Sequence, residues 1–110
     1  MSERKGDGYY LNKILSDLYF IREHMSGVTI TMLDENPLLM DSMAFRLIQI
    51  QENAKKLSEE FKNARPSIPW GDIAGLRNHI VHDYGNVDHT VLYLTLTDDV
   101  PSLISELEKG

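Results

Sequence analysis

The sequence of 110 residues predicts an all-α fold, a four- to five-helix up-and-down bundle. Apolar residues recur at steps of three and four through two long segments, which is the spacing of one face of a helix. Prolines and glycines separate these segments from shorter segments near the C-terminus. The only segment with strand-like residues has no partner elsewhere in the chain. We therefore expect one helical domain over residues 1–110.

The first predicted helix covers residues 9–25. Its apolar stripe consists of Leu11, Ile14, Leu15, Leu18, Ile21 and Met25. A connection is expected from Gly27 to Asn36. Asn36 and Pro37 then predict the start of the second helix, as an N-cap followed by proline in the first turn.

The second predicted helix runs to about Ala64 as one continuous element. Its stripe consists of Met43, Leu47, Ile50, Ala54, Leu57 and Phe61. The following residues, 65–69, contain two prolines and must end the helix, because proline lacks an N–H and disfavours helix in the residue before it.

Three further helices are expected. The third runs from about Trp70 to Tyr84, with Gly85 as its stop. Asp88 can cap a short helix through Thr97, although the β-branched and aromatic residues there also suit a strand. Asp98 or Asp99, with Pro101, opens the last helix, whose inward residues are Leu103, Ile104 and Leu107.

The charge of the chain is unevenly distributed. The net charge is −6, whereas a conventional nucleic-acid binder is usually basic. Residues 83–110 carry six acids and one base, so this part alone has a net charge of −5. We expect RNA to contact another face, and the acidic part could serve a basic protein partner.

The composition also indicates a compartment. There is no cysteine, which excludes disulfides and thiolate metal sites. The N-terminus lacks the apolar core of a signal peptide, and no apolar run approaches the ~18 residues of a membrane helix. The expected location is therefore cytoplasmic, with no membrane association.

Arg77 is the first candidate functional residue. On a helical wheel it falls among Ile73, Ile80, Val81 and Tyr84, so a guanidinium lies on an apolar face. An unpaired buried guanidinium is costly, so we expect it to meet a carboxylate, a phosphate or a cleft open to solvent. Glu52 and Glu59 of the second helix are the carboxylates that a purely structural role would use.

Asn78 and His82 are the next candidates. They lie four residues apart, so the amide can fix the orientation and tautomer of the imidazole. An imidazole with an ordinary pKa of about 6.5 can take or give a proton near neutrality. The alternative is a solvated or capping histidine near a helix end.

Arg77 and His82 do not meet on one straight helix. They are five residues apart, which is about 140° around a helix of 3.6 residues per turn. Either the arginine side chain reaches around, or a second copy supplies the missing residue across a twofold axis. The second possibility favours a homodimer. Gly75, on the His82 side, would permit close approach of another helix or of an RNA backbone.

A metal site is the competing interpretation of the same segment. His79, His82 and Asp83 stand at i, i+3 and i+4, which is feasible ligand spacing. No glutamate completes an HExxH pattern, and we expect neither a metal nor another cofactor.

The strings Ile68–Trp70, Ile73–Asn78 and Val81–Tyr84 resemble the HepT-like branch of the HEPN superfamily. Its motif is arginine, a polar residue, about three variable positions, histidine, any residue and tyrosine. Arg77, Asn78, His82 and Tyr84 fill these positions. The resemblance extends over roughly residues 40–107.

This resemblance implies a HEPN-like helical bundle that dimerises around one cleft and acts as a metal-independent endoribonuclease toxin. His82 would be the general acid and base, Arg77 would stabilise charge on the phosphate, and Asn78 would orient the histidine. The products would be a 2′,3′-cyclic phosphate and a 5′-hydroxyl.

The resemblance also implies a partner. HepT-like toxins of type VII toxin–antitoxin systems are paired with a minimal nucleotidyltransferase antitoxin, which in some members transfers AMP to the motif tyrosine, here Tyr84. A packed aromatic at the helix end is the alternative for Tyr84. The alternative for the whole protein is a non-catalytic HEPN module that binds a nucleotide or its antitoxin.

Overall fold

A computed structural model describes residues 5–71, 73 and 89–109. The helices of this part are α1 (Asp7–Met25), α2 (Ile30–Asp34), α3 (Pro37–Lys55), α4 (Glu59–Asn63), α5 (His89–Leu94) and α6 (Val100–Glu108), with a π-helical segment, Thr95–Asp99, between α5 and α6. No β-strand occurs in these residues, and the predicted all-α class is confirmed. None of these helices is both long enough and apolar enough to cross a membrane.

The core lies where α1 packs against α3 and against the C-terminal helices. From α1 the buried side chains are Ile14, Leu18, Ile21 and Met25, and from α3 they include Met43, Leu47, Ile50 and Ala54. These are stripe positions of the first two predicted helices. The predicted start of α3 is also confirmed, because the side chain of Asn36 accepts a hydrogen bond from the N–H of Leu39 at 3.1 Å and Pro37 opens the helix.

One ion pair crosses the contact between α1 and α3. Arg46 Nη1 donates to Asp17 Oδ1 at 2.8 Å, and Asp17 is only 8% exposed. The guanidinium of Arg46 also lies 3.8 Å from the ring centroid of Phe20. A carboxylate inside a helical interface is tolerated because a hydrogen-bonded cation compensates for its lost hydration.

The prediction of one continuous helix to Ala64 is wrong, because the chain leaves the helix after Lys55 and re-enters it at Glu59. Ser58 makes the break stable. Its hydroxyl accepts from the N–H of Phe61 at 3.0 Å, which caps α4. The carboxylate of Asp7 accepts both the Ser58 N–H at 2.8 Å and its hydroxyl at 2.7 Å. The interruption therefore satisfies groups that a broken helix leaves open.

The connection predicted from Gly27 to Asn36 contains a short helix, so that prediction is also wrong in part. Gly27 has a φ of +75°, a conformation that favours glycine, and it follows the end of α1. The Thr29 hydroxyl then caps α2 by accepting from the N–H of Met32 at 3.1 Å. Leu33 is fully buried and holds α2 on the core.

Residues 89–108 are helical rather than a strand, as preferred from the sequence. The last helix begins at Val100, after Asp99 and with Pro101 in its first turn, as predicted, although Asp99 makes no side-chain cap. Helical structure continues there through the π segment, in which the N–H of Val100 donates to the carbonyl oxygen of Thr95. Pro101 has no N–H, so the regular α-helical ladder would lose a bond here in any case. Ile104 and Leu107 of α6 are buried, as expected.

The Asp7–Ser58 contact generates a prediction on stability. Ser58→Ala removes the cap of α4 and one hydrogen bond to Asp7, and we expect the free energy of unfolding to fall by about 1–2 kcal/mol. Ser16→Ala, at an exposed position of α1, should change it by less than about 0.5 kcal/mol. Equal urea midpoints for both variants would show that the Ser58 hydroxyl, with its contact to Asp7, contributes no stability.

Candidate functional site

The predicted site residues Arg77, Asn78, His82 and Tyr84 lie outside the described residues. The same holds for His79 and Asp83 of the competing metal set. We call residues 74–88, which contain these positions, the motif segment. The structure describes the residues that precede and follow it. Residues 70, 71 and 73 are helical, in agreement with the predicted start of the third helix at Trp70.

Trp70 fixes the entry to the motif segment. Its indole N–H donates to the carbonyl oxygens of both Lys62 and Arg65, each at 3.2 Å. Its ring meets the ring of Phe61 edge to face, with the centroids 6.3 Å apart. Ile68, two residues earlier, is 3% exposed. The Ile-Pro-Trp sequence therefore anchors the start of the third helix on α4 and the core.

Ser67 attaches the residues that precede the motif segment, 67–73, to α6. We call these residues the lead-in. Its hydroxyl donates to Glu106 Oε2 at 3.0 Å. This hydrogen bond, and secondarily the neighbouring ammonium of Lys109, holds the pKa of Glu106 below its ordinary value. Glu106 thus stays a carboxylate where the lead-in meets the C-terminal helix.

The residues that follow the motif segment contact the connection between α1 and α3. His89 Nδ1 lies 2.8 Å from Asp34 Oδ1, and the hydroxyl of Tyr93 donates to the carbonyl oxygen of Val28 at 2.7 Å. These contacts attach α5 to α2 and to the turn after α1. The residues before the motif segment are therefore held by Trp70, and those after it by His89 and Tyr93.

A cavity of about 470 Å³ lies beside the lead-in. Its walls combine aliphatic side chains from α1, α3 and α6 with a polar edge, and the lining includes Leu18, Leu47, Ile50, Ser67, Pro69, Ile73, Thr95, Asp99, Val100, Ser102, Leu103 and Glu106. Such walls suit an apolar group, whereas the two carboxylates at the edge oppose a phosphate. The cavity is therefore not a phosphate site in its own right.

The two described histidines already have contacts. His24 Nδ1 lies 2.9 Å from the carbonyl oxygen of Phe20 and its ring stacks on that phenyl ring at 4.0 Å, while His89 pairs with Asp34. Within residues 5–71, 73 and 89–109, no group of three ligating side chains is placed to hold a metal ion. Glu59, suggested as a partner for Arg77, forms an exposed pair with Lys62 at 3.2 Å.

Gln51 is a polar group that the sequence interpretation missed. It is fully buried on α3, and neither its Oε1 nor its Nε2 has a hydrogen-bond partner among the described residues. It stands four residues after Leu47 and three before Ala54, so a polar residue within the apolar stripe was the available signal. An unsatisfied buried amide is costly and is often retained for a functional reason.

The all-helical fold and the Ile-Pro-Trp sequence before the motif agree with the similarity of this chain to known proteins. The family model described as "Ribonuclease HepT-like" matches residues 14–110. The chain therefore belongs to the HepT-like ribonuclease family of the HEPN superfamily. No solved structure was found to match it.

Three relatives illustrate the similarity. The chain is 28% identical to "Putative RNase TTE0752" of Caldanaerobacter subterraneus over 91% of its own length and 89% of that protein. It is 25% identical to "Putative RNase MJ1380" of Methanocaldococcus jannaschii over 90% and 91% of the two chains. It is 40% identical to "Probable ribonuclease HepT" of Thermococcus cleftensis over 54% of each chain.

The unpaired amide of Gln51 generates a prediction on stability. Gln51→Met keeps the side-chain volume and removes the unsatisfied amide, so we expect the free energy of unfolding to rise by about 1 kcal/mol. Gln49→Met, at a half-buried position of the same helix, is the control. Thermal unfolding gives the comparison, and destabilisation by Gln51→Met would mean that the amide has a partner.

Proposed function

We propose that this protein is a metal-independent endoribonuclease toxin of a type VII toxin–antitoxin system, acting through Arg77 and His82. The observation that carries the proposal is the family match, which spans the whole motif segment. The relatives named as RNases support the activity. The anchored lead-in at Trp70 supports a rigid base for the motif, which catalysis by positioning requires.

RNA contains its own nucleophile, so the reaction needs no metal. His82 accepts the proton of a 2′-hydroxyl, and the 2′-oxygen then bonds to the adjacent phosphorus. The bond from phosphorus to the 5′-oxygen breaks, and an imidazolium returns a proton to that oxygen. Arg77 binds the phosphate as charge develops, and Asn78 orients the imidazole. The products are a 2′,3′-cyclic phosphate and a 5′-hydroxyl.

The active form in this proposal is a homodimer. The helical wheel separates Arg77 from His82 by about 140°, so the two residues are most easily combined when each copy supplies one of them to a shared cleft. A mixture of His82→Ala and Arg77→Ala chains could then reconstitute one complete site per dimer.

The proposed partner is a minimal nucleotidyltransferase antitoxin that adenylylates Tyr84. Tyr84 lies two residues beyond His82 in the sequence, so a nucleotide on its hydroxyl would occupy space that the substrate needs. Its phosphate would also compete with RNA for the cation of Arg77. Blockade would be both steric and electrostatic.

The activity is tested with purified wild type and three variants on total RNA. We expect cleavage to persist in excess EDTA, to disappear in His82→Ala and Arg77→Ala, and to remain largely intact in His79→Ala. The reason is that the proposed site uses the motif pair, whereas a metal site would need His79 as much as His82. Activity lost on chelation and restored by zinc or manganese would overturn the proposal, and a wild type that cuts no RNA would favour the non-catalytic module.

Regulation is tested by co-expression with a minimal nucleotidyltransferase antitoxin. Peptide mass spectrometry should find an AMP adduct on Tyr84 and on none of the other four tyrosines. Tyr84→Phe should fold, cleave RNA and escape inactivation. Full inhibition with an unmodified Tyr84 would mean instead that the antitoxin acts by covering the cleft.

A further inference from the structure

Positive charge is concentrated at one end of the molecule. Residues 5–13 and 55–65 contain six of the eleven lysines and arginines and only three acids, a net charge of +3 on a chain whose net charge is −6. The remaining residues therefore carry −9. The hydrogen bonds from Ser58 to Asp7 bring the two segments together.

The same end presents aromatic rings among these cations. The ammonium groups of Lys5 and Lys13 lie 5.2 and 5.5 Å from the ring centroid of Tyr9, and that of Lys56 lies 5.7 Å from the ring centroid of Tyr10. The two tyrosine rings meet edge to face at 5.1 Å. Tyr9 is 43% exposed. We name Lys5, Tyr9, Tyr10, Lys13 and Lys56 the basic–aromatic end.

The cations of the basic–aromatic end differ from Arg46 and Lys109 in having no carboxylate partner among the described residues. Arg46 and Lys109 form ion pairs with Asp17 and Glu106. By contrast, no ion pair with a described carboxylate holds Lys5, Lys13 or Lys56, and all three are exposed. The nearby carboxylate of Asp7 has both oxygens hydrogen-bonded to Ser58. These ammonium groups are therefore available to an external anion.

The basic–aromatic end lies close to the entry to the motif segment. Ser58 both binds Asp7 and caps α4, and α4 carries Phe61 and Lys62, on which Trp70 is anchored. Five residues of helix span roughly 8 Å. Arg65 continues the pattern, because its guanidinium lies 3.8 Å from the ring centroid of Phe61. A polyanion held at the basic–aromatic end could thus continue towards the motif.

We propose that the basic–aromatic end binds a single-stranded segment of the RNA substrate, with bases stacked on Tyr9 and Tyr10 and phosphates held by Lys5, Lys13 and Lys56. The inference rests on the proposed function. Cations that follow the backbone and exposed rings that stack on bases are the two elements of single-strand recognition. A stacked base replaces one ammonium on the Tyr9 ring, and that ammonium then pairs with the adjacent phosphate. The negative remainder of the molecule directs RNA to this end.

The test measures binding without cleavage. A fluorescein-labelled 15-nucleotide RNA with 2′-O-methyl groups lacks the attacking hydroxyl, so full-length protein can be titrated by fluorescence anisotropy over a range of salt concentrations. Lys13→Gln with Lys56→Gln should weaken binding roughly ten-fold and lower the salt dependence of log Kd by about 1.4, because two phosphate contacts are lost. Tyr9→Ala should weaken binding at least about five-fold, and Tyr9→Phe should not.

The matched control is Arg22→Gln with Lys109→Gln, which changes the net charge equally. Arg22 also lies over a tyrosine, 5.0 Å from the ring centroid of Tyr19, but next to the acidic C-terminal helix. This control should bind RNA like wild type, as should Lys13→Arg with Lys56→Arg. The four substituted lysine and arginine side chains are exposed, so unchanged thermal unfolding is expected for these charge variants.

Equal losses in the two charge-matched variants, or no loss in either, would overturn the inference. If the Lys13 and Lys56 variant kept its RNA affinity but lost binding to phosphatidylserine vesicles, the occupant would be an anionic membrane. A wild type that cleaves total RNA but binds no 2′-O-methyl RNA refutes the surface and leaves the proposed function standing. Site-specific binding by a protein that cuts no RNA supports the surface and refutes the proposed activity.

Discussion

The packing of α1 against α3 is the contact on which the rest of the described structure depends. The two apolar stripes supply most of the core, and two polar contacts accompany the helix pair: Asp17 with Arg46 across the interface, and Asp7 with Ser58 at the end of α3. In the second contact, Ser58 binds Asp7 and also caps α4, so it fixes where α4 begins. Because Trp70 is anchored on α4, the position of the helical residues 70, 71 and 73 depends on the Asp7–Ser58 contact.

The same packing separates the charges of the molecule. The N-terminus of α1 and the end of α3 bring lysines and tyrosines together, whereas α6 supplies carboxylates beside the cavity and the lead-in. A polyanion therefore meets attraction at one end and repulsion at the other. This separation makes a net negative charge compatible with the proposed RNA substrate.

Much of the fold follows from local sequence. The stripe from Ile14 to Met25 gave α1, and Asn36 with Pro37 gave the start of α3, since these signals need only neighbouring residues. The break before α4 was missed because Asp7, which binds Ser58, is 51 positions away in the sequence. The stripe also continues through the break, where Leu57 is buried, so periodicity alone concealed it.

The candidate site was predicted from the sequence only in part. Arg77, Asn78 and His82 were predicted from spacing and from the resemblance, and Tyr84 from the resemblance. The family match covers all four positions, and their roles stay predictions because the four residues lie outside the described structure. The basic–aromatic end was not identified, because Lys56, which follows α3, is far from Lys5 and Lys13 in the sequence. Only the spacing of Lys5, Tyr9 and Lys13 at i, i+4 and i+8 was a local signal.

In the proposed reaction, the 2′-hydroxyl of the RNA substrate is the nucleophile. End-group analysis of RNA cut by the purified protein in excess EDTA tests it most directly. We expect 5′-hydroxyl ends, which polynucleotide kinase labels without prior phosphatase treatment, together with 2′,3′-cyclic phosphates. Products with 5′-phosphate and 3′-hydroxyl ends would contradict it, because water rather than the 2′-hydroxyl would then have attacked the phosphorus.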